Sequence, residues 1–485
     1  MKFTHRIFGL ENEFGTIAEY PNGTMSDTMD RTFDDLIRLR QIENSVFAND
    51  LPGNNDRVWH ANGGCTYIDR GNHPEHATPE CLSIRDVVRY NKAGEQLCRI
   101  MFDRHQPKDI RFLLFKNNLG YDTESQTSGA SGQFGCHENY LIRTERSKPL
   151  DILKKMQIFE PILPFLATRQ LFDGSGWWDI NGNFHLSQRA SSIRKNFGLS
   201  AIAERPFMQL KTDDTESDMR LHIIVGDANI CEFAIYLKMG TTALVLDLFE
   251  SGCCPDVGCI NPIEALHTLS DTGDSRIPLF QTHDGSRMSA FDIQTVFLEA
   301  VQTQLTSASF TNNRVEDEVK TIVLYWEQAL NAIFRNDTEW MRGRIDYATK
   351  QYLAEKEIAR KMRNPSEMIL LRKNIDILYH GISNTALEDR MNAAWPDRRI
   401  VNNDDIADAL MNPPADTRAA MRGKFVQTLA ANGIKRVSFM NWCRMAFYQQ
   451  VAPYRECFFE IPSGFISDMP EFETFLSCIK QTNPS

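Results

Sequence analysis

Two glutamates two residues apart, in Ile7-Phe8-Gly9-Leu10-Glu11-Asn12-Glu13-Phe14-Gly15, constrain this chain more than any other stretch. Apolar and small residues lead into them, so Arg6 to Phe14 reads as a β-strand. Its period of two turns both carboxylates to one face. Carboxylates held that close repel unless a cation lies between them, and their oxygens are the ligands that Mg²⁺ takes. Asn12 falls on the opposite face, so the pattern is not simple amphipathicity. An edge strand with one wet face accounts for the same residues without a ligand.

A second acidic segment follows. Cys65-Thr66-Tyr67-Ile68-Asp69 reads as a short strand running into a loop, with Tyr67 and Asp69 on one face. Glu75 and Glu80 come next, in a stretch stiffened by Pro74 and Pro79. Two such segments point to a site; a solvated acidic loop is the competing reading.

The chain is long enough, at 485 residues, to fill one large domain and a smaller one. With 42% apolar and 24% charged residues it has an ordinary globular composition. A net charge of −11 argues against broad nucleic-acid binding. No run of about 18 apolar residues and no leader pattern occurs, so neither membrane nor secretion is expected. The eleven cysteines are irregularly spaced, without a paired set suited to zinc, and fit a reduced, cytoplasmic protein.

Along the chain, residues 21–60 read as loop apart from a helix over Thr32–Leu39. Ser83 caps a helix running to Asp103, although Gly94 is out of keeping with a helix interior. Ile110–Lys116 reads as a strand, Tyr121–Gln133 as a mobile Ser/Thr/Gly-rich loop, and Phe159–Phe172 as a core helix with Pro161 and Pro164 near its start. Leu221–Val225 is a strand and Ala234–Glu250 a buried helix; helical periods dominate Glu316–Arg363. Arg418 and Arg422, four apart, project from one helix face.

Taken in order, Gly9-Leu10-Glu11-Asn12-Glu13-Phe14-Gly15, Tyr67-Ile68-Asp69 with His73-Pro74-Glu75, Lys116-Asn117-Asn118 and Gly135-Cys136-His137-Glu138-Asn139-Tyr140-Leu141 resemble the Pup ligase and Pup deamidase/depupylase family of carboxylate-amine ligases. So do Leu186-Ser187-Gln188-Arg189, Arg220-Leu221-His222, Gly226-Asp227-Ala228-Asn229, and Asn412-Pro413-Pro414 with Thr417-Arg418-Ala419 and Arg422-Gly423. The resemblance covers nearly the whole chain. It implies an α+β, glutamine-synthetase-like fold: a curved antiparallel sheet packed with helices over residues 1–394, and a small C-terminal domain over 395–485.

The resemblance further implies an ATP-dependent ligase with Mg²⁺, joining a glutamyl carboxylate of a small Pup-like protein modifier to a lysine of a target protein. Glu11, Glu13, Tyr67, Glu75 and His222 would serve the metal. Arg220, Arg418 and Arg422 would serve the phosphates, His137 would contact the nucleotide, and Asp69 would be the base, with a ligand role as its rival. The segment between Glu13 and Asp69 is short, as in the ligase branch, whereas the deamidase branch carries a long extra loop there. Cys136 before His137 also looks ligase-like.

Two departures stand out. Where the family has Thr-Arg-Asp-Glu-Pro-His-Ala before its Arg-Leu-His strand, this chain has the acidic Lys211-Thr212-Asp213-Asp214-Thr215-Glu216-Ser217-Asp218-Met219. That change should weaken attraction for an acidic modifier. At Tyr379-His380-Gly381 a glycine replaces the usual acid, removing a charge and loosening the backbone. The alternatives are a deamidase or depupylase of the same fold, a ligase for another glutamyl substrate, and a nucleotide-holding relative without catalysis.

Overall fold

The computed structural model describes residues 2–3, 6–23, 25–27, 45–48, 57–69, 73–105, 109–120, 133–142, 149–212, 219–360, 364–383, 386–434, 436–448 and 455–480. The helix expected at Thr32–Leu39, nearly all of the loop expected at Tyr121–Gln133 and most of the acidic stretch 211–219 lie outside them. The chain divides into two compact units. One comprises Met1–Arg6, Phe115–Lys211 and Met219–Ile400; the other comprises Ile7–Leu114, Thr212–Asp218 and Val401–Ser485. The division into 1–394 and 395–485 is a partition by chain order, whereas this one is by packing: Val401–Ser485 shares a unit with Ile7–Leu114.

The elements used below are, in chain order, strands β1 (Phe8–Glu13), β2 (Ser45–Ala48), β3 (Arg57–His60), β4 (Cys65–Ile68) and β5 (Pro74–Ala77), then helix α1 (Ile84–His105). Strands β6 (Cys136–Ile142), β7 (Pro206–Thr212) and β8 (Met219–Ile223) follow, with helices α2 (Glu232–Glu250) and α3 (Asn313–Phe334). Helix α4 (Ala419–Ala431) and strand β9 (Arg436–Val437) lie in the C-terminal segment.

In the unit holding both ends of residues 7–485, the strands run in the order β1-β5-β4-β3-β2-β9. Every neighbouring pair is antiparallel except β2 with β9. β2 and β3 fall where sequence suggested loop, because runs as short as Val46-Phe47 and Val58-Trp59 carry too little periodicity to be read without a partner strand. One face of this sheet meets α1. There Asn12 Nδ2 donates to Asn91 Oδ1 at 2.7 Å, and a buried chain runs His60 Nε2···Thr66 Oγ1 (2.8 Å)···His76 Nδ1 (2.9 Å). Burial holds both imidazoles below their usual pKa, His76 at about 3. On the other face, Val46, Trp59 and Cys65 form one apolar core with Met421, Phe425 and Leu429 of α4 and with Phe472 and Phe475.

Gly94 explains itself in this packing. A Cβ there would stand 2.2 Å from His76 Cδ2, so only glycine lets α1 come this close to β5.

In the other unit β6 and β8 pair antiparallel, with Asn139 opposite His222 and Leu141 opposite Arg220. Helix α2 is buried along nearly its whole length, and α3 packs against it with Ile322 close upon Gly240. The helix expected over Phe159–Phe172 is three short pieces: Glu160–Ile162, Leu163–Thr168 and Gln170–Asp173. Proline is tolerated only in a first turn, so Pro161 and Pro164 each start a new piece. Gly381, expected to loosen the backbone, is pinned by a β-bridge to Phe115, while the carbonyl of the buried His380 accepts the Lys116 N–H at 2.8 Å. Among the described residues no helix is long and apolar enough to cross a membrane.

Gly94→Ala should destabilise the protein by about 1–3 kcal/mol in urea unfolding, through overpacking against His76. Helix propensity alone would favour alanine by roughly 0.5–1 kcal/mol. A variant as stable as the parent would show that α1 can withdraw from His76.

Candidate active site

Strand register gathers the acids. Glu13 on β1 lies opposite Glu75 on β5, and Glu75 lies opposite Tyr67 on β4, so the three form a row across the sheet. Such cross-strand neighbours stand about 5 Å apart. Glu11 and Asp69, two residues along from Glu13 and Tyr67, extend the same face. Glu13 and Glu75 are buried. Burial first, and then the charges of Glu11, Glu13 and Asp69, push the Glu75 carboxyl well above the usual carboxylate range. Burial beside Glu75 and Glu11 likewise raises the Tyr67 phenol. Burying so many like charges together is unfavourable by itself, and the donor set is all oxygen. It fits a hard divalent cation such as Mg²⁺.

Asp69 is the first residue beyond β4. Its N–H donates to the His73 carbonyl at 3.1 Å, and its Oδ1 accepts the His73 N–H at 2.7 Å. The His73 imidazole lies with Nδ1 3.1 Å from Glu13 Oε2. Glu13, Asp69 and His73 thus bring donor atoms within 4.8 Å of one another. His73 is a residue that sequence alone leaves without a role; its place directly before Pro74-Glu75 and four positions after Asp69 is the available signal.

Arg418 and Arg422, expected at the phosphates, converge on Glu80 in the same unit. Arg418 Nε donates to Glu80 Oε1 at 2.6 Å, and Arg422 pairs with both carboxylate oxygens. Arg422 also donates from Nε to the Gly63 carbonyl and from Nη1 to the Trp442 carbonyl, each at 2.8 Å. Its guanidinium lies over the rings of Trp59 and Trp442. Burial by itself would raise the Glu80 carboxyl, but Arg422 and Arg418 hold it down at about 2. This buried pairing ties α4 to the loop after β5. Glu80 was noted in the sequence as one more acid, since nothing local pairs it with residues more than three hundred positions away.

The remaining three residues, His137, Arg220 and His222, lie together in the other unit. His137 on β6 and His222 on β8 have ring centroids 4.8 Å apart. Asn139 Oδ1 accepts from Arg220 Nη1 and stands 2.9 Å from His222 Nδ1. An amide oxygen is only an acceptor, so His222 donates from Nδ1, and its Nε2 is the nitrogen that could ligate a metal. Asn139 had no role in the sequence reading; the strand register identifies it.

Behind β6, Glu138 is bonded by Arg169 Nη1 at 2.8 Å and by the Tyr140 hydroxyl at 2.6 Å. Asp173, against Arg169 Nε at 3.0 Å, is pushed up by burial to about 7. The Asp227 carboxylate accepts the N–H groups of Ser175, Gln188 and Arg189 at 2.8–2.9 Å, fixing the Ser187-Gln188-Arg189 turn.

Comparison with known proteins places this geometry in context. The model of a family described as Pup-ligase protein matches residues 6–446. A Pup–protein ligase of Acidimicrobium ferrooxidans is 31% identical over 470 residues, covering 93% of this chain and 94% of the relative. That of Mycobacterium ulcerans is 31% identical over 468 residues, with 92% and 94% covered. A crystal structure of the complex between the prokaryotic ubiquitin-like protein Pup and its ligase PafA superposes with a TM-score of 0.81 at 26% identity, covering 98% of this chain and 93% of the other.

Glu80→Gln should cost about 3–5 kcal/mol, because two buried guanidinium groups lose their counter-charge. In the parent, a carboxyl held below its ordinary pKa of 4.5 contributes stability that is fully present above that pH. The contribution drains away as pH falls toward 2. Urea midpoints at pH 7 and pH 3 check both: the gap between parent and variant should narrow at the lower pH.

Proposed function

The chain belongs to the Pup-ligase family, and from that membership we propose that it is an ATP-dependent ligase. It phosphorylates a glutamyl carboxylate of a Pup-like modifier and joins it to a protein lysine through an isopeptide bond. The observation that carries the reading is the acid face Glu11, Glu13, Glu75 and Tyr67, with Asp69 clamped at its end.

A carboxylate does not condense with an amine unaided, because its oxygen is too poor a leaving group. Transfer of the γ-phosphoryl group makes a γ-glutamyl phosphate and ADP, and phosphate then departs when the amine attacks. Mg²⁺ held by Glu11, Glu13, Tyr67 and Glu75 would offset the charge of the triphosphate. Asp69 is assigned as the base. An ordinary carboxylate pKa of about 4 makes it a weak acceptor for a lysine proton, so it works by being held against the ammonium. The reciprocal bonds with His73 supply that hold.

In the other unit His222 is assigned to metal, His137 to nucleotide and Arg220 to phosphoryl oxygens, with Asn139 orienting both His222 and Arg220. Phosphate contact goes to Arg220 rather than to Arg418 and Arg422, whose guanidinium groups are committed to Glu80. A cytoplasmic setting belongs to the same reading, since ATP and reduced thiols occur together there.

Intact-mass analysis tests the reaction. The full chain, incubated with Mg²⁺, ATP, a Glu-ending modifier and a lysine-bearing protein, should yield a product equal to the two masses less one water, together with ADP. ATP left intact, with conversion of a Gln-ending modifier to its acid, would replace ligation by deamidation. Asp69→Asn should lower the rate of conjugation by roughly 10²–10⁴-fold while ATP affinity is retained. Undiminished turnover would remove Asp69 from the role of base.

A further inference from the structure

We infer that His73 is a positioning residue for this reaction, fixing the Glu13 carboxylate and Asp69 in one relation to each other. The inference rests on the ligase reading for its purpose, and on geometry for its substance. The side chain is 9% exposed, with Nδ1 3.1 Å from Glu13 Oε2 and 3.9 Å from Asp69 Oδ1. Its own N–H donates to Asp69 Oδ1 at 2.7 Å, and its carbonyl accepts the Asp69 N–H at 3.1 Å. Pro74 and Glu75 of β5 follow directly. One residue therefore touches Glu13 through its ring and Asp69 through its backbone, and sits beside Glu75 in the chain.

The need for such a residue follows from the crowding of acids. Glu11, Glu13, Glu75 and Asp69 share one face, and Coulomb repulsion favours rotamers that splay their carboxylates apart. A donor on Glu13 opposes that rotation. With a carboxylate oxygen as its partner, Nδ1 of His73 carries the proton. Donors beyond the immediate ligands commonly govern metal affinity in this way, by ten- to a hundredfold.

The test uses the full chain with His73→Asn, His73→Gln and His73→Ala. Asparagine sets its amide N–H near the place of Nδ1; glutamine reaches past it, and alanine has no donor. Mn²⁺ binding, measured by calorimetry without modifier or target, should weaken about 10–100-fold in His73→Gln and His73→Ala, and stay within about threefold in His73→Asn. In conjugation assays kcat should follow the same order, with the KM for the lysine-bearing protein unchanged. Urea midpoints identify any variant that has lost its fold. Mn²⁺ affinity equal to the parent's in folded His73→Gln or His73→Ala would overturn the inference. So would His73→Asn failing as badly as His73→Gln, because donor position would then not matter. If the parent itself forms no conjugate with ATP, the ligase reading fails, while the Mn²⁺ comparison still decides the role of His73.

Discussion

Like-charge crowding on one sheet face is the constraint around which the acid-bearing unit is arranged. β1, β5 and β4 are short, and their antiparallel register lines up Glu13, Glu75 and Tyr67. No isolated strand would keep these groups together, since their repulsion opposes the alignment that the backbone hydrogen bonds impose. The sheet holds because its other residues pack: Asn12, Thr66 and His76 against α1 on one face, and Trp59 and Cys65 with the C-terminal segment on the other. The folding energy of a large apolar core thus maintains a site that is unfavourable on its own account, as functional sites often are.

Two buried polar arrangements bear on this unit in different ways. Glu80 with Arg418 and Arg422 is a charged strut. Its value lies in being complete, because each buried charge left alone costs more than the pair contributes. The His60–Thr66–His76 chain is neutral and sits directly behind Tyr67 and Glu75. Keeping those imidazoles uncharged leaves the negative field of the opposite face undiminished. Gly94 belongs to the same arrangement, since it admits the helix that buries His76.

How far sequence reasoning reaches can be followed through individual residues. Glu11 and Glu13, Tyr67 and Asp69 were readable because a period of two fixes relative facing within a strand, and the long helices because a period of 3.6 does the same. Helix α3, with the N-cap Asn312 side chain accepting the Val315 N–H, is a case where pattern and capping agree. β2 and β3 were not readable, because their apolar pairs Val46-Phe47 and Val58-Trp59 show no alternation to mark a strand. The helix expected over Phe159–Phe172 breaks for a local reason that the two prolines announced. His73, Asn139 and Glu80 were in plain view, but their roles depend on partners that no local pattern designates: a residue on the neighbouring strand, a register partner, and a distant helix.

What the sequence determined by itself is the chemistry available: paired carboxylates, a phenol, histidines and arginines in the order of the Pup-ligase family, on segments whose local periodicity sets which side chains face together. What only the tertiary structure decided is the pairing of those groups. It turned Arg418 and Arg422 toward Glu80, gave Asn139 to both Arg220 and His222, and laid the His73 ring against Glu13. The physical reason is range. Backbone periodicity correlates side chains only a few residues apart, whereas a charge or a hydrogen-bond donor takes whatever partner the packed chain brings within about 3 Å.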